Sequence, residues 1–235
     1  MIKILDCTIR DGGHQTDWRF DEKFVLDLMN ELNQKNVTYF EIGYRNHYNN
    51  ENKGEFYNCD VQLLQKFYPF KGNLKLGVMT DISRFSKDDF PSVSGDLAEF
   101  VRIACHPDEI TKTFSAAKEL KNRGYCVFLQ LMEVQNIDID GYIALLEWRD
   151  KSVIDSLYFA DSCGTVTPEQ IPQYMNKFKM LGYKNISFHG HNKNSKVLEN
   201  TLAAINSGAF SVDTTKNGIG RNGGNLSLDD LLNNL

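Results

Sequence analysis

The chain has 235 residues, of which 41% are apolar, and this is enough for one large domain with a sizeable core. A net charge of −5 gives no general attraction to nucleic acid or to anionic membranes. The five cysteines are scattered with no CxxC pair, there is no secretory h-region, and no run approaches 18 uninterrupted apolar residues. We therefore expect a single-domain cytoplasmic protein with reduced thiols and with neither a nucleic-acid nor a membrane partner.

Short apolar runs alternate eight times with segments that carry a helical pattern. The predicted strands cover residues 2–9, 39–44, 74–79, 100–105, 125–132, 156–160, 186–188 and 209–214. The first predicted helix opens at Asp21, and four others cover about 59–68, 106–122, 141–149 and 226–235. Two more are fixed at one end only: one begins with Thr167 as its N-cap, and one is ended by Gly208. The connection at 84–97 is expected to be irregular.

Eight strand–helix alternations predict a parallel sheet closed as a (β/α)₈ TIM barrel, with residues 1–235 forming one catalytic domain. The alternative is a doubly wound open sheet, but its GxGxxG signature after the first strand is absent. In a barrel, chemistry sits at the carboxyl ends of the strands, so polar residues should gather there.

Two histidines stand at the end of the seventh strand. His189 and His191 are two residues apart, so they point to the same face and form half of a metal site. The alternative is a pair of polar residues on a half-exposed strand. Barrel closure brings Asp11, after strand 1, towards them. One carboxylate and two imidazoles suit Mn²⁺, Fe²⁺ or Zn²⁺, and Mg²⁺ less well.

Other polar residues also fall at predicted strand ends. They are Arg10 and His14 after strand 1, Glu41 on strand 2, Asp161 and Ser162 after strand 6, and Asn225 after strand 8.

These motifs together resemble the DRE-TIM metallolyases, a superfamily of acyl-CoA lyases, Claisen-type synthases and aldolases. The resemblance spans essentially the whole chain and rests on segments 6–13, Glu41, 189–192 and 218–225. The spacing of Arg10, Asp11 and His14, with segments 102–106 and 160–164, is most similar to the 4-hydroxy-2-oxovalerate aldolase branch.

The resemblance implies a role for each residue. Asp11, His189 and His191 would bind a divalent metal, with Mn²⁺ preferred and Mg²⁺, Co²⁺ or Zn²⁺ as options. Arg10 would stabilise an enolate oxygen and contact substrate, and Glu41 would hold Arg10. The remaining implied roles are substrate-carboxylate binding for Ser162, the general base for His14, and a further ligand or a supporting contact for Asn225.

Several of these residues also have a structural interpretation. Asp11 could cap a turn or helix, Ser162 could belong to a turn, and Asn225 could be a helix N-cap. His14 could be an exposed loop residue. Arg221 could meet an anionic substrate group or simply belong to a flexible glycine-rich loop.

The sequence favours a metal-dependent class II aldolase that cleaves or forms 4-hydroxy-2-oxo acids from a pyruvate enolate and an aldehyde. The rivals are an acyl-CoA lyase or Claisen-type synthase of the same superfamily, and a non-catalytic barrel that kept the site. The C-terminal helical extension of the aldolase branch is expected to be absent, which places its partner dehydrogenase in doubt. A homo-oligomer is left open.

Overall fold

The eight predicted strands form a closed parallel barrel, so the open-sheet alternative is wrong. The computed structural model describes residues 2–48, 50–134 and 139–235. Each strand pairs with its neighbours in sequence, and the last strand pairs with the first to close the barrel. The strands are β1 (Lys3–Asp6), β2 (Tyr39–Tyr44), β3 (Lys75–Asp81), β4 (Phe100–Cys105), β5 (Cys126–Leu131), β6 (Ser156–Asp161), β7 (Ile186–Gly190) and β8 (Ser211–Thr214).

Helices surround this barrel. They are α1 (Thr8–Thr16), α2 (Glu22–Gln34), α3 (Val61–Phe67), α4 (Val93–Asp96), α5 (Ile110–Asn122), α6 (Ile139–Leu146), α7 (Ile171–Met180), α8 (Val197–Asn206) and α9 (Leu228–Leu232). The predicted irregular stretch before β4 consists of short turns and the single turn α4. In the part of the chain that the structure describes, no helix has the length and apolarity that crossing a bilayer requires.

The second helix shows how sequence pattern becomes packing. Asp21 accepts a hydrogen bond from the backbone N–H of Lys23 and caps the helix, as predicted. The apolar stripe then buries Val25, Leu28 and Met29 against the barrel. Full burial of each such side chain stabilises the fold by about 1.5–3 kcal/mol.

The predicted first strand is too long. The strand ends at Asp6, and residues from Thr8 onward form α1. The Asp6 carboxylate accepts hydrogen bonds from the Thr8 backbone N–H at 2.9 Å and from its hydroxyl at 3.0 Å. These contacts turn the chain, so Arg10 and Asp11 lie on a helix over the barrel mouth rather than in a turn.

The predicted start of the helix after β6, with Thr167 as its N-cap, is also wrong. The segment at Thr167 and Pro168 forms a turn, and α7 begins at Ile171 with Pro172 in its first turn. The Gln170 side chain accepts a hydrogen bond from the Thr167 backbone N–H at 2.9 Å. Half of the predicted capping box therefore forms, but it closes a turn ahead of the helix.

The barrel interior is built in layers. Tyr39, Phe100, Phe128 and Tyr158 form a buried aromatic layer. Side chains two residues further along a strand point the same way. The next layer towards the mouth is therefore polar, and it contains the buried side chains Glu41, Arg102, Gln130, His189 and Asp213.

Candidate active site

Two buried imidazoles face each other at the end of β7. The Nε2 atoms of His189 and His191 are 3.3 Å apart. The Nδ1 atom of His189 lies 2.8 Å from Asp213 Oδ2, and Nδ1 of His191 lies 3.0 Å from the Arg221 carbonyl oxygen. Both Nδ1 atoms therefore contact oxygen acceptors, and in a neutral ring this fixes the proton on Nδ1.

This arrangement fits a metal ion. If both rings are neutral with the proton on Nδ1, two Nε2 lone pairs face each other, and a cation bound between them would satisfy both. Two nitrogen ligands about 2.0–2.1 Å from one ion lie roughly 2.8–3.4 Å apart at right-angled to tetrahedral geometry. Burial, followed by the neighbouring His189, lowers the pKa of His191 to about 4, so this imidazole is neutral and able to bind a metal near pH 7.

Asp11 completes the set of three. The ligand atoms of Asp11, His189 and His191 all lie within 4.8 Å of one another. Burial alone raises the pKa of a carboxyl group, but the Arg10 guanidinium beside it holds the pKa of Asp11 well below its usual range. The structure therefore brings the three predicted ligands together, with the pKa values of Asp11 and His191 both lowered in the direction that suits a cation.

A continuous line of buried charges supports these ligands. Arg10 donates from Nη1 to Asp11 Oδ1 at 2.7 Å and from Nε to Glu41 Oε2 at 2.6 Å. Arg102 donates from Nε to Glu41 Oε1 at 2.7 Å and from Nη1 to Asp213 Oδ2 at 2.5 Å. The line ends where Asp213 meets His189, so alternating charges connect both sides of the site.

Two members of this line carried no predicted role. Arg102 stands in the middle of the apolar strand β4, and Asp213 stands on β8. Each follows a buried barrel residue by two positions, so each points inward. A charged residue at an inward-facing position of a strand was the feature of the sequence that could have identified these two residues. The partner of Arg102 on β2 is Glu41, and the partner of Asp213 on β7 is His189. Both partners lie far away in the sequence, so these contacts cannot be predicted without the closed barrel.

Asn225 contacts Asp11. Its Nδ2 donates to Asp11 Oδ2 at 2.5 Å and to the Ile219 carbonyl at 2.9 Å. The N-cap of α9 is Ser227, so the capping alternative for Asn225 is wrong. The other alternative for Asn225 remains, in which it steadies the carboxylate of the candidate metal ligand Asp11.

Ser162 lies after β6, outside the charged line. Its hydroxyl accepts a hydrogen bond from the Glu133 backbone N–H at 3.0 Å, and its carbonyl accepts one from Asn222 Nδ2 at 2.6 Å. Ser162 therefore joins the connection after β5 to the loop after β8. The neighbouring Asp161 accepts from the backbone N–H groups of Thr165 and Val166, which is turn chemistry.

His14 stands at the rim, on the last turn of α1. Its side chain is exposed, its ring packs edge-on against Trp18 at 4.6 Å between centroids, and its Nε2 lies 3.5 Å from the Tyr44 hydroxyl. Loss of solvation against these rings, followed by the Arg221 charge, lowers the pKa of His14 to about 3. Aromatic contacts therefore hold this imidazole in place, and it is not a free loop residue.

A second set of possible ligands shares His189. Cys7, His189 and Asp213 also have ligand atoms close together. Burial raises the pKa of the Cys7 thiol well above its usual range, and Asp213 already accepts from Arg102 and His189. Because the carboxylate of this second set is already occupied by Arg102 and His189, the set around Asp11 fits a metal better.

The fold and the site define the chain as an enzyme of the carbon–carbon lyase class, built on a (β/α)₈ barrel. A family model described as HMGL-like matches residues 92–235, and the chain belongs to this family. This confirms the resemblance to the DRE-TIM metallolyases.

Individual relatives agree with this placement. The chain is 25% identical to an oxaloacetate decarboxylase of Mycobacterium tuberculosis over 97% of this chain and 68% of that protein. It is 26% identical to a 4-hydroxy-2-oxovalerate aldolase of Carboxydothermus hydrogenoformans over 98% of this chain and 69% of that protein. A solved N-terminal domain from Bacteroides vulgatus, provisionally assigned as an aldolase, superposes with a TM-score of 0.90 at 30% identity, covering 100% of this chain and 79% of that one.

Proposed function

We propose that the chain is a divalent-metal-dependent aldolase that cleaves or forms 4-hydroxy-2-oxo acids through a pyruvate enolate. The observation that carries this proposal is the pair of facing Nε2 atoms beside Asp11 and Arg10. A bound divalent ion, with Mn²⁺ as our first choice, would supply Lewis acidity for the 2-oxo group. Two nitrogens and one carboxylate suit Mn²⁺, Co²⁺ or Zn²⁺ better than Mg²⁺.

The names of the relatives support pyruvate as the shared unit. Loss of carbon dioxide from oxaloacetate leaves pyruvate, and retro-aldol cleavage of 4-hydroxy-2-oxovalerate also leaves pyruvate. Both reactions place a pair of electrons on C3 and the adjacent oxo group. A site that stabilises this enolate therefore accounts for both named activities.

Arg10 is the residue best placed to receive the enolate charge. Its Nε and Nη1 are held by Glu41 and Asp11, while Nη2 is buried without a hydrogen-bond partner among the described residues. A buried donor left unpaired costs about 1–3 kcal/mol, and a developing oxyanion would satisfy it. Because Glu41 and Asp11 fix the guanidinium beforehand, no reorganisation is needed as the charge develops.

His14 is the proposed base. In the cleavage direction it would take the proton of the C4 hydroxyl. The C3–C4 electrons would then pass to the oxo group, and the aldehyde would leave. Desolvation is the first cause that lowers the pKa of His14 and the Arg221 charge is the second, and an anionic substrate close to Arg221 would offset the second of these. Ser162 would seat the C1 carboxylate.

Exchange of the pyruvate methyl protons in D₂O, followed by NMR, tests the central step. We expect exchange with Mn²⁺, and at least a hundredfold loss with a chelator or in His191→Ala. His47→Ala is the matched control, because the His47 side chain is 43% exposed and lies away from the site. Its described side-chain contacts are an ion pair with Asp89 and a ring contact with Tyr48.

The outcomes separate the alternatives. Exchange that persists with chelator contradicts the metal-dependent mechanism. A protein that binds Mn²⁺ without exchange, and instead cleaves an acyl-CoA thioester substrate, would favour the acyl-CoA lyase. A protein with neither metal binding nor exchange would be the non-catalytic barrel.

A further inference from the structure

Arg221 is a cation at the barrel mouth whose one ion pair, among the described residues, is a long contact with Asp11. Arg221 lies in the loop after β8, and its Nε is 3.4 Å from Asp11 Oδ1, too long and too poorly directed to count as a hydrogen bond. That Nε is buried and has no hydrogen-bond partner among the described residues, while the side chain as a whole is 35% exposed. Asp11 already accepts from Arg10 and Asn225, so its neutralisation does not depend on Arg221.

The backbone around Arg221 is held from several sides. The carbonyl of Arg221 accepts from His191, that of Gly220 accepts from the Gln15 side chain, and Asn222 donates to Ser162. A Cβ atom at Gly220 would lie 2.7 Å from Asp11 Oδ2, so the loop approaches the site as closely as a glycine allows. Arg221 therefore belongs to a well-held part of the barrel mouth, and this does not fit the alternative in which it is part of a flexible glycine-rich loop.

The formal charges of the site show what this extra cation does. Asp11, Glu41 and Asp213 carry three negative charges, and Arg10, Arg102 and Arg221 carry three positive charges. These cancel, so a divalent ion leaves two positive charges, which match a doubly negative ligand. Without Arg221 the surplus would be one, which matches a monocarboxylate.

The position of Arg221 also favours one end of the substrate. The loop that carries Arg221 contacts the turn of α1 that carries His14, because the Gln15 side chain donates to the Gly220 carbonyl, and His14 is the proposed base for the C4 hydroxyl. The C1 carboxylate is assigned to Ser162 and the metal. This contact between Gln15 and Gly220 places the Arg221 guanidinium, whose one described ion pair is with Asp11, towards C4 and the departing fragment.

We propose that Arg221 binds a second carboxylate and makes this enzyme selective for dicarboxylic 2-oxo acids. The inference rests on the proposed function and names its substrate class. An aldol substrate of this class is 4-hydroxy-2-oxopentanedioate, which would give pyruvate and a carboxylate-bearing aldehyde with no oxidant or reductant. Oxaloacetate carries its second carboxylate one carbon nearer, at C4, and would lose it as carbon dioxide to leave the pyruvate enolate, which then takes up a proton at C3.

Equilibrium binding to the Mn²⁺-loaded protein by calorimetry tests this without turnover. The two probes are 2-oxopentanedioate and 2-oxopentanoate, which differ only in a terminal carboxylate or methyl group and lack the C4 hydroxyl. We expect the wild type to bind the dicarboxylate about tenfold to a hundredfold more tightly. Arg221→Gln should remove that preference and leave 2-oxopentanoate binding within about twofold, and Arg221→Lys should keep part of the preference.

Arg19→Gln is the matched control, because it removes an exposed arginine charge that contacts only the Asn52 carbonyl among its described hydrogen bonds. Equal weakening of both probes in Arg221→Gln would place Arg221 on the C1 carboxylate and overturn the proposal. No preference in the wild type would also overturn it.

Turnover then distinguishes the two dicarboxylate sources. We expect kcat/KM for 4-hydroxy-2-oxopentanedioate or for oxaloacetate to exceed that for 4-hydroxy-2-oxopentanoate, with the excess lost in Arg221→Gln. Whichever of these two dicarboxylates has the larger kcat/KM is the preferred substrate. Pyruvate exchange without a dicarboxylate preference would leave the aldolase proposal standing and reject this one. An Arg221-dependent preference without exchange would do the reverse.

Discussion

At the scale of the residue, Asp213 is the clearest case of a side chain that acts through another. It contacts Nδ1 of His189 at 2.8 Å and thereby turns Nε2 towards His191, where the candidate metal site lies. A carboxylate behind a metal-binding histidine sets the tautomer, fixes the ring and raises the basicity of the ligand. Arg102, in turn, holds Asp213 and helps to keep the pKa of this buried carboxyl below its usual value against the effect of burial.

We therefore expect Asp213→Asn to weaken Mn²⁺ binding about tenfold to a hundredfold while leaving the barrel folded. Titration of the metal by calorimetry or electron paramagnetic resonance measures this change. Asp27→Asn is the matched control, since Asp27 is 66% exposed and pairs with Lys23 on the helix surface. Unchanged affinity in Asp213→Asn would show that the carboxylate does not tune His189.

Sequence reasoning identified the residues that carry recognisable chemistry but not those that support them. Asp11, His189 and His191 were predicted from residue type and strand-end position, and the structure places their ligand atoms together. Asp213 has no motif of its own. Its importance comes from contacts with Arg102 and His189, which lie 111 and 24 residues away.

At the scale of the element, the junction of β1 and α1 sets the geometry of the site. Asp6 is fully buried, ends the strand and accepts two hydrogen bonds from Thr8. Burial, only partly offset by these hydrogen bonds, raises the pKa of Asp6 to about 7. The helix that presents Arg10 and Asp11 therefore starts at a carboxyl group that titrates near neutrality.

This shift makes stability depend on pH. In the unfolded chain Asp6 ionises near pH 4, but in the folded protein it holds its proton up to about pH 7. The folded state therefore binds the extra proton between these values, and the contribution of Asp6 to the free energy of unfolding falls as pH rises from about 4 to 7. The loss is on the order of 4 kcal/mol and is constant above that window.

Asp6→Asn should remove this dependence. We expect the difference in unfolding free energy between wild type and variant to shift in favour of the variant by a few kcal/mol between pH 4 and pH 8. Urea unfolding of both proteins, with chelator present to keep metal out, measures it. A difference that stays constant across the range would mean that Asp6 ionises normally in the folded state.

Element boundaries were the part of the fold that local pattern predicted least well. The run 2–9 is apolar enough for a strand, but residues 8 and 9 are helical. Short apolar runs carry no periodicity that separates helix from strand, and here the Asp6 side chain decides the outcome. The turn at Thr167 shows the same limit, because capping residues can also close an isolated turn.

At the scale of the whole molecule, the candidate metal site joins the two ends of the chain. Asp11 lies on the first helix, and His189 and His191 lie at the end of the seventh strand, with β8 between them in the closed barrel. These ligands come together only when the barrel closes. A metal bound by all three therefore binds the folded state and stabilises it.

We expect saturating Mn²⁺ to raise the thermal unfolding midpoint. At a hundred times the dissociation constant the stabilisation is about 2.7 kcal/mol, or roughly 5–10 °C for a domain of this size. Asp11→Asn should lose the metal-dependent increase, and Cys7→Ser should keep it. Loss in Cys7→Ser with retention in Asp11→Asn would instead assign the ion to the set of Cys7, His189 and Asp213.

The sequence by itself predicted a helix-covered parallel sheet, because eight apolar runs alternating with amphipathic segments can bury their faces well only in that architecture, and the structure then excluded the open form of the sheet. It also determined that Arg10, Asp11, Glu41, His189 and His191 gather at one end, since the carboxyl ends of parallel strands meet there. Only the tertiary structure decided the line of charges from Arg10 to His189 and the placement of Arg221 beside Asp11. These contacts depend on closure of the barrel and on the path of the loop after β8, and no local pattern encodes either.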